Sequence, residues 1–199
     1  SLPRANNRSE LVKALRRYAE TLGAPKAVLK NLERLEHPES RVVVTGQQAG
    51  LLLGPTYTLS KAITAINLAK ELSAEEKPVV PIFWVASQDH DVAEVNHAYL
   101  FDINEELRRL ELPLPENMPV GRITFNTEWL NNVITEIKSL NVPEHNRQDV
   151  VALLEKTASR AKTFADWFAA LLYELLGERG LIVLNPMERD VAKLFRTIL

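Results

Sequence analysis

The sequence contains no cysteine among its 199 residues. This absence excludes disulfide bonds, metal sites built from thiolates and catalysis by a cysteine nucleophile. The sequence also has no excess of positive charge. It contains 24 lysines and arginines and 26 aspartates and glutamates, which gives a formal net charge of -2. We therefore expect no nucleic-acid partner, since nucleic-acid-binding modules usually carry an excess of positive charge.

Long apolar runs are missing as well. No stretch approaches the roughly 20 apolar residues that a membrane span needs, and the opening SLPRANNRSELVKALRR is too polar for a secretory signal. Hydrophobic residues still make up 46% of the chain, which is enough for a buried core. The composition predicts a cytoplasmic globular protein without membrane association, either one domain or a core with an insertion.

Three short apolar segments predict buried strands. These segments lie near residues 41–45, 79–86 and 181–185. A helical pattern from about Pro55 to Leu72 separates the first two, and strand–helix–strand units of this length form parallel pairs with a right-handed crossover. We expect an α/β fold with a Rossmann-like parallel sheet over residues 41–199.

Other patterns surround this predicted core. Residues 1–40 predict a helical pair that packs on the core, with Ser9 capping the first helix and Pro25 starting the second. Residues from about 98 to 145 predict an insertion. Within it, AYLFDINEELRRLELPLP and VGRITFN predict extended segments in an antiparallel arrangement.

Helical periodicity returns in the last quarter of the chain. From about Gln148 to Leu176 apolar residues recur every three or four positions, which predicts one long helix or two in tandem. A further helix begins in ERDVAKLFRTIL and continues to the last residue. This ending leads us to expect that the chain is the front part of a longer polypeptide.

The segment TGQQAGLLLGPTYTLSK follows the first predicted strand and has features of an anion-binding loop. The helix start near Pro55 favours an anion, and Gln47 and Gln48 can donate and accept hydrogen bonds. Lys61 shares a helix face with Tyr57 and can reach back toward the loop. Three glycines permit sharp turns and a close approach to a ligand: Gly46, Gly50 and Gly54. The spacing matches neither a Walker loop nor G-x-G-x-x-G, so a turn without a ligand remains an alternative.

The segment SQDHDVAEVNH follows the second predicted strand. Ligands of open parallel sheets bind beyond the carboxyl ends of the strands, so both segments face one crevice if the two strands are neighbours. Asp89 and His90 are the strongest functional candidates here, with His90 as a general base or as a donor to a carboxylate or phosphate. Trp84, within the strand, is expected to border the crevice.

Two interpretations of the same segment concern its helical spacing. His90, Glu94 and His97 would share one face of a helix, which resembles the spacing of metal ligands. Asp91 and Glu94 also form the pattern of a capping box, which would only begin a short helix. The metal interpretation is disfavoured and no metal ion is predicted, but polar and charged residues directly after IFWVAS are unusual for capping alone.

Three motifs lie between Val42 and Asp102: T-G-Q-Q-x-G, G-P-x-Y-T-x-x-K-A and W-x-A-S-x-D-H-D-x-x-E-V-N-H. In these motifs the chain resembles the family of bacillithiol biosynthesis cysteine-adding enzymes. The later GLIVLNPM resembles the third core strand of the family. Gln88 is a departure, because family members commonly carry glutamate there, and this counts against an acid–base or metal role at that position.

The resemblance implies a core similar to class I aminoacyl-tRNA synthetases and nucleotidyltransferases, with connecting insertions and a C-terminal coiled coil that this chain lacks. It implies a carbon–nitrogen ligase that joins L-cysteine to the amino group of glucosaminyl-malate in bacillithiol biosynthesis. ATP is the expected activator of the cysteine carboxylate. A homodimer would form through regions outside this chain, and the fragment could fold and still be inactive.

The residue patterns and the resemblance together predict the site. His90 would accept the amine proton or orient the carboxylate, Asp89 or Asp91 would fix its tautomer, and Lys61 would stabilise developing charge. The predicted substrate- or nucleotide-binding residues are Thr45, Gly46, Gln47, Gln48, Gly50, Gly54, Tyr57, Trp84, Ser87, Asp91, Asn96 and His97.

Two other functions remain open at this point. One is a nucleotidyltransferase that acts on a different acid. The other is a non-catalytic fragment that binds a nucleotide or an organic acid in the same crevice.

Overall fold

The computed structural model describes residues 6–196. The strands are β1 (Arg41–Gln47), β2 (Val79–Val85), β3 (His97–Phe101), β4 (Leu107–Glu111) and β5 (Ile182–Leu184). The helices are α1 (Asn6–Thr21), α2 (Lys26–Glu36), α3 (Tyr57–Leu72), α4 (Val92–Val95), α5 (Thr127–Ser139), α6 (Glu144–Ala158), α7 (Phe164–Leu176) and α8 (Arg189–Arg196). The prediction that the last helix reaches the final residue falls on residues 197–199, outside the described part.

The three predicted strands form one parallel sheet in the order β1-β2-β5. The central strand β2 is almost entirely buried, as its apolar sequence predicts. The prediction that β1 is buried is wrong. It is an edge strand, and Val42 and Val44 are 42% and 54% exposed because the structure covers only the opposite face of the strand.

Helices cover both faces of the central strand β2, as expected of a Rossmann-like fold. On one face, Phe168 of α7 packs against Phe83 of β2, with 5.9 Å between ring centroids. On the other face, Phe195 of α8 packs against Trp84, with 5.6 Å between ring centroids. Because successive residues of a strand point to opposite faces, α7 and α8 lie on opposite sides of β2.

The N-terminal helical pair is present, with one corrected boundary. Helix α1 begins at Asn6, so Ser9 lies inside the helix and does not cap it. Helix α2 follows Pro25, as predicted. The side chain of Asn31 on α2 donates to the carbonyl oxygen of Gly180 at 2.7 Å, just before β5. This buried bond ties the pair to the start of the third sheet strand.

The segment between β2 and α7 contains one of its two predicted extended parts. Strands β3 and β4 form the expected antiparallel hairpin. VGRITFN is not a strand of this sheet. Val120–Arg122 forms a 3₁₀ turn, and Thr124 makes only an isolated bridge to Thr163. The turn bonds to the loop after β2 instead, and this contact holds it in place.

The long periodic stretch is two helices in tandem, α6 and α7, rather than one. The break lies at Thr163, where two reciprocal hydrogen bonds begin α7. The backbone N–H of Asp166 donates a hydrogen bond to the Thr163 side chain, and the backbone N–H of Thr163 donates one to the Asp166 carboxylate. This capping box satisfies backbone donors that a new helix would leave unpaired. Across the break, Trp167 Nε1 donates to Thr157 Oγ1 at 3.0 Å. In the described part of the chain, no helix has the length and apolar character of a membrane span.

Candidate functional site

The two polar segments meet at the carboxyl edge of the sheet. Strands β1 and β2 are parallel neighbours, with Gln47 opposite Val85 in the register. The side-chain amide of Gln48, one residue past β1, donates to Asp89 Oδ2 at 2.7 Å. The structure therefore brings the segments after both strands together at one edge of the sheet, where an open parallel sheet would place a ligand site. We refer to this place between the two segments as the crevice.

Gln47 makes a separate set of contacts with α3. Lys61 Nζ donates to Gln47 Oε1 at 3.0 Å and lies 4.8 Å from the centroid of the Tyr57 ring. Gln47 Nε2 donates to the Tyr57 hydroxyl at 3.4 Å. The expected return of Lys61 toward the loop is present, and it places a cation beside the Gln47 amide at the end of β1.

The loop between β1 and α3 is more unusual than its sequence indicates. It contains a 3₁₀ turn, Leu51–Leu53, in which Leu52 and Leu53 have φ values of 50° and 73°. Gly54 follows with φ 66°. Only the glycine is suited to this left-handed region, so the two leucines carry local backbone strain. Sequence reasoning missed this turn because leucine does not favour left-handed backbone.

The glycines of this loop approach protein backbone closely. A Cβ atom on Gly46 would lie 2.6 Å from the carbonyl oxygen of Trp84, and one on Gly50 would lie 2.8 Å from the Cα of Gly54. Each distance is shorter than a real Cβ contact. Gly46 and Gly50 are therefore required by internal packing, whereas sequence reasoning assigned them to close contact with a ligand.

Asp89 organises the loop after β2. Its Oδ1 accepts from the backbone N–H groups of His90 at 2.7 Å and Asp91 at 3.2 Å. The hydrogen bond from Gln48 and these backbone bonds hold the pKa of Asp89 below its ordinary value. An exposed carboxylate with a lowered pKa is a weak proton acceptor near neutral pH. The two backbone bonds fix the loop around Asp89, and its catalytic role stays a prediction.

The helical arrangements proposed for this segment do not form. Helix α4 spans only Val92–Val95, so His90 precedes it and His97 begins β3. Asp91 occupies the N-cap position, but its side chain makes no capping bond. Within residues 6–196, no group of three histidine, aspartate or glutamate side chains is arranged to hold a metal ion.

The two ends of the segment differ in their surroundings. His90 and Asp91 are exposed at the mouth of the crevice. Asn96 donates to Glu111 Oε1 at 3.1 Å, and the His97 ring stands edge-on to Tyr99. Asn96 and His97 therefore belong to the β3–β4 hairpin, while His90 and Asp91 remain beside Asp89.

Ser87 and Asn185 connect the second and third strand ends beneath the crevice. Ser87 is fully buried and its hydroxyl donates to Asn185 Oδ1 at 2.6 Å. Asn185 Nδ2 donates to the Tyr18 hydroxyl at 3.3 Å, and that hydroxyl donates to Asp166 at 2.9 Å. Burial and the neighbouring Asp166 carboxylate raise the pKa of Tyr18 well above its ordinary value, so this hydroxyl keeps its proton.

Asn185 and Tyr18 were not among the predicted site residues. Asn185 follows the apolar run LIVL in the same way that the other polar segments follow their strands, so the carboxyl-end rule could have found it. Tyr18 gives no such signal, because it lies on the apolar face of α1. Its partner Asp166 is 148 residues away in the chain.

The 3₁₀ turn of the insertion supports the loop after β2 from the side. Backbone N–H groups of Val120 and Gly121 donate to the carbonyl oxygens of Asp89 and Ser87, at 2.9 and 2.7 Å. A Cβ atom on Gly121 would lie 2.7 Å from the Cβ of Met187 and 2.9 Å from that of Ser87. Only glycine fits this contact without displacement, so Gly121 lets the turn pack closely against Ser87 and Met187.

The remaining predicted residues have mixed positions. Thr45 is half-buried, and Trp84 packs on Phe195 with its backbone in the centre of the sheet.

Thr58, in the first turn of α3, has a fully buried hydroxyl with no hydrogen-bond partner. No side chain caps the start of α3 at Thr56, but the backbone N–H groups of Thr58, Leu59 and Ser60 already donate to the carbonyl oxygens of Pro55 and Thr56. This end of the helix therefore attracts an anion through its dipole rather than through a set of free N–H donors.

A family model matches residues 2–199 of this chain, and it describes the N-terminal Rossmann-like domain of the bacillithiol biosynthesis protein BshC. The chain belongs to the BshC family. The match includes both polar segments of the crevice, together with β5 and Asn185.

Several curated relatives are each named "Putative cysteine ligase BshC". The protein from Geobacillus sp. (strain WCH70) is 40% identical over 189 residues, which are 93% of this chain and 34% of that protein. The protein from Geobacillus kaustophilus is 36% identical over 203 residues, or 97% of this chain and 36% of that protein. The protein from Solibacter usitatus is 39% identical over 157 residues, or 78% of this chain and 29% of that protein. The chain thus spans about a third of the length of these BshC relatives.

Proposed function

We propose that this chain supplies part of the active site of a carbon–nitrogen ligase that joins L-cysteine to glucosaminyl-malate in the cytoplasm, where thiols stay reduced. Family membership supports the class of reaction. The observation that supports the site is the hydrogen bond from Gln48 to Asp89, which joins the segment after β1 to the loop that contains His90.

The donor groups of the crevice fit an anionic ligand. Lys61 provides a positive charge, Gln47 and Gln48 provide amides, and the uncapped start of α3 provides the positive end of a helix dipole. This set suits the phosphates of ATP, or a carboxylate such as the malate group. ATP, when bound, supplies the activation of the cysteine carboxylate.

The other steps are assigned to residues of this chain. The glucosamine nitrogen attacks the activated carboxyl carbon, a C–N bond forms, and the leaving group departs with its electron pair. His90 accepts the proton released from nitrogen, since it is exposed at the crevice beside a loop fixed by Asp89. Lys61 stabilises the negative charge that develops on the reacting group.

The test is replacement of His90 by alanine in a polypeptide of the relatives' length. We expect the rate of cysteine-dependent product formation from glucosaminyl-malate and ATP to fall by about 100-fold or more, the usual contribution of a general base. The thermal unfolding temperature should not change, because His90 is exposed. His145→Ala, at an exposed position of α6, is the matched control and should keep full activity.

Two results would contradict this proposal. Full activity of His90→Ala would remove the role of His90. Pyrophosphate exchange that depends on a different acid, without any dependence on cysteine, would instead support a nucleotidyltransferase.

A further inference from the structure

Asn185 lies one residue past β5, and its side chain joins the loops that follow two strands of the sheet. The residue is only 2% exposed. Its Oδ1 accepts a hydrogen bond from the Ser87 hydroxyl at 2.6 Å, in the loop after β2, and another from the backbone N–H of Met187 at 3.0 Å, in the loop after β5. Both lone pairs of the amide oxygen are therefore used within the protein.

The neighbours of Asn185 determine which way its amide group points. A backbone N–H can only donate, so the atom that faces Met187 must be the amide oxygen. The amide nitrogen then faces Tyr18 and donates to its hydroxyl oxygen at 3.3 Å. The Tyr18 oxygen can accept this bond because its own proton is donated to Asp166. An asparagine provides the acceptor and the donor that this position needs, whereas alanine provides neither.

Ser87 begins the loop that contains His90, and it depends on Asn185 for its side-chain hydrogen bond. Ser87 is fully buried. Within residues 6–196, Asn185 is the one hydrogen-bond partner of its hydroxyl. Removal of the Asn185 side chain would leave this buried hydroxyl unpaired, which costs free energy unless the loop moves.

A turn of the insertion holds the same loop from the side. Backbone N–H groups of Val120 and Gly121 donate to the carbonyl oxygens of Asp89 and Ser87. His90 follows Ser87 by three residues, so a shift of Ser87 would displace the histidine and weaken these two bonds. Catalysis is sensitive to such a shift, because a misplacement of about 1 Å can reduce a rate by about 100-fold.

We propose that Asn185 is a positioning residue for the ligase reaction. It acts through Ser87 to hold His90 at the crevice, and it does not contact the reacting groups because it is buried within the fold. This inference rests on the proposed function. A residue with a purely structural role would lower the stability of the fold without a specific effect on catalysis.

The test compares Asn185→Ala with Asn31→Ala in a polypeptide of the relatives' length. Asn31 is the matched control, because it is also a buried asparagine and bonds to the Gly180 backbone at the opposite end of β5. Both substitutions should lower the unfolding temperature. Only Asn185→Ala should lower kcat for cysteine-dependent product formation, by about 10-fold or more at a temperature where both variants are folded.

The KM for ATP should stay nearly unchanged in Asn185→Ala, because neither Gln47 nor Lys61 contacts Asn185. A wild-type kcat in Asn185→Ala would overturn the inference. An equal loss of kcat in Asn31→Ala would also overturn it, since the effect would then follow from lost stability.

Ser87→Ala removes the same hydrogen bond with a smaller change in volume. We expect a similar decrease in kcat, and the double variant should be no slower than the slower single variant, because both substitutions remove one interaction. Decreases that multiply in the double variant would contradict an action through Ser87.

Hydrogen exchange separates a failure of this inference from a failure of the proposed function. The amides of Val120 and Gly121, which bond to the loop, should exchange about 10-fold faster or more in Asn185→Ala but not in Asn31→Ala. This result would support control of the loop by Asn185 even if the wild-type polypeptide had no ligase activity, which would contradict the proposed function alone. Unchanged exchange in Asn185→Ala would overturn the inference.

Discussion

Gln47 and Gln48 are adjacent in sequence but contact different partners. Gln47 contacts Lys61 and Tyr57 on α3, while Gln48 bonds to Asp89 in the loop after β2. One glutamine thus orients the cation of the crevice, and the other fixes the loop that carries His90. Sequence reasoning placed both residues in the site but could not distinguish these two roles.

Substitution of Gln48 separates them experimentally. In Gln48→Leu the largest cause of the lowered Asp89 pKa is lost, so this pKa should rise toward its ordinary value. A carboxyl group whose pKa is lowered by folding stabilises the folded state at pH values above its pKa in the unfolded chain. This stabilisation is lost as the pH falls through the pKa of the group in the folded state. The stabilisation at neutral pH should therefore decrease in the variant.

Carboxyl ¹³C NMR across the acid range measures the Asp89 pKa directly. Gln47→Leu is the matched control, since Gln47 has no hydrogen bond to Asp89. An Asp89 titration that is the same in wild type and Gln48→Leu would show that the bond at 2.7 Å does not persist in solution.

At the scale of elements, the residues that cap the N-terminal end of a helix determine where a predicted helical segment begins or breaks. Helix α7 begins at a capping box built by Thr163 and Asp166, while α4 begins at Asp91 without any side-chain cap. The pattern Asp-x-x-Glu was therefore not sufficient to predict a cap. Asp91 occupies the N-cap, but Asp89 accepts the local backbone bonds instead.

Loss of the capping box should destabilise the whole chain, because α7 is the most buried helix of the described structure. In Thr163→Ala, the N–H of Asp166 loses its partner. We expect the free energy of unfolding to fall by about 1 kcal/mol. Chemical denaturation measures this change, and Thr163→Ser should keep most of the stability because it retains the hydroxyl. An unchanged stability in Thr163→Ala would contradict a stabilising role for the cap.

At the scale of the whole molecule, one buried polar chain links distant parts of the fold. Ser87, Asn185, Tyr18 and Asp166 connect β2, β5, α1 and α7 through consecutive hydrogen bonds. Buried polar groups need such partners, because an unpaired one costs free energy. The network fixes the ends of two strands directly beneath the crevice.

This network predicts a dependence of stability on alkaline pH. The pKa of Tyr18 is raised in the folded state. The stability that this shift contributes is therefore complete below the pKa of Tyr18 in the unfolded chain, near 10. It is lost as the pH rises above that value and through the pKa of Tyr18 in the folded state. Tyr18 ionises in the unfolded chain at pH 11, which should lower the free energy of unfolding by about 1.4 kcal/mol relative to neutral pH.

Denaturant unfolding at pH 9 and pH 11 tests this dependence. Tyr18→Phe should be less stable than wild type at pH 9, because Asp166 loses a donor. Its loss of stability between the two pH values should be smaller than that of wild type. An equal loss in both proteins would show that Tyr18 does not cause the alkaline dependence.

The amino-acid sequence alone determined the main elements of this fold and the place of the crevice. Strands β2 and β5 followed from short apolar runs, and the two polar segments followed from the rule that ligands bind at the carboxyl ends of parallel strands. These features depend on residues close together in the chain. Local preference and hydrophobic periodicity therefore suffice to predict them.

Only the tertiary structure decided the exposure of β1, the left-handed turn at Leu52 and Leu53, and the buried network of Tyr18 and Asn185. Whether a β-branched strand is central or at an edge depends on which strands pair beside it. A buried hydroxyl likewise depends on partners more than 100 residues away. Such contacts arise when distant elements pack together, so no local pattern in the sequence records them.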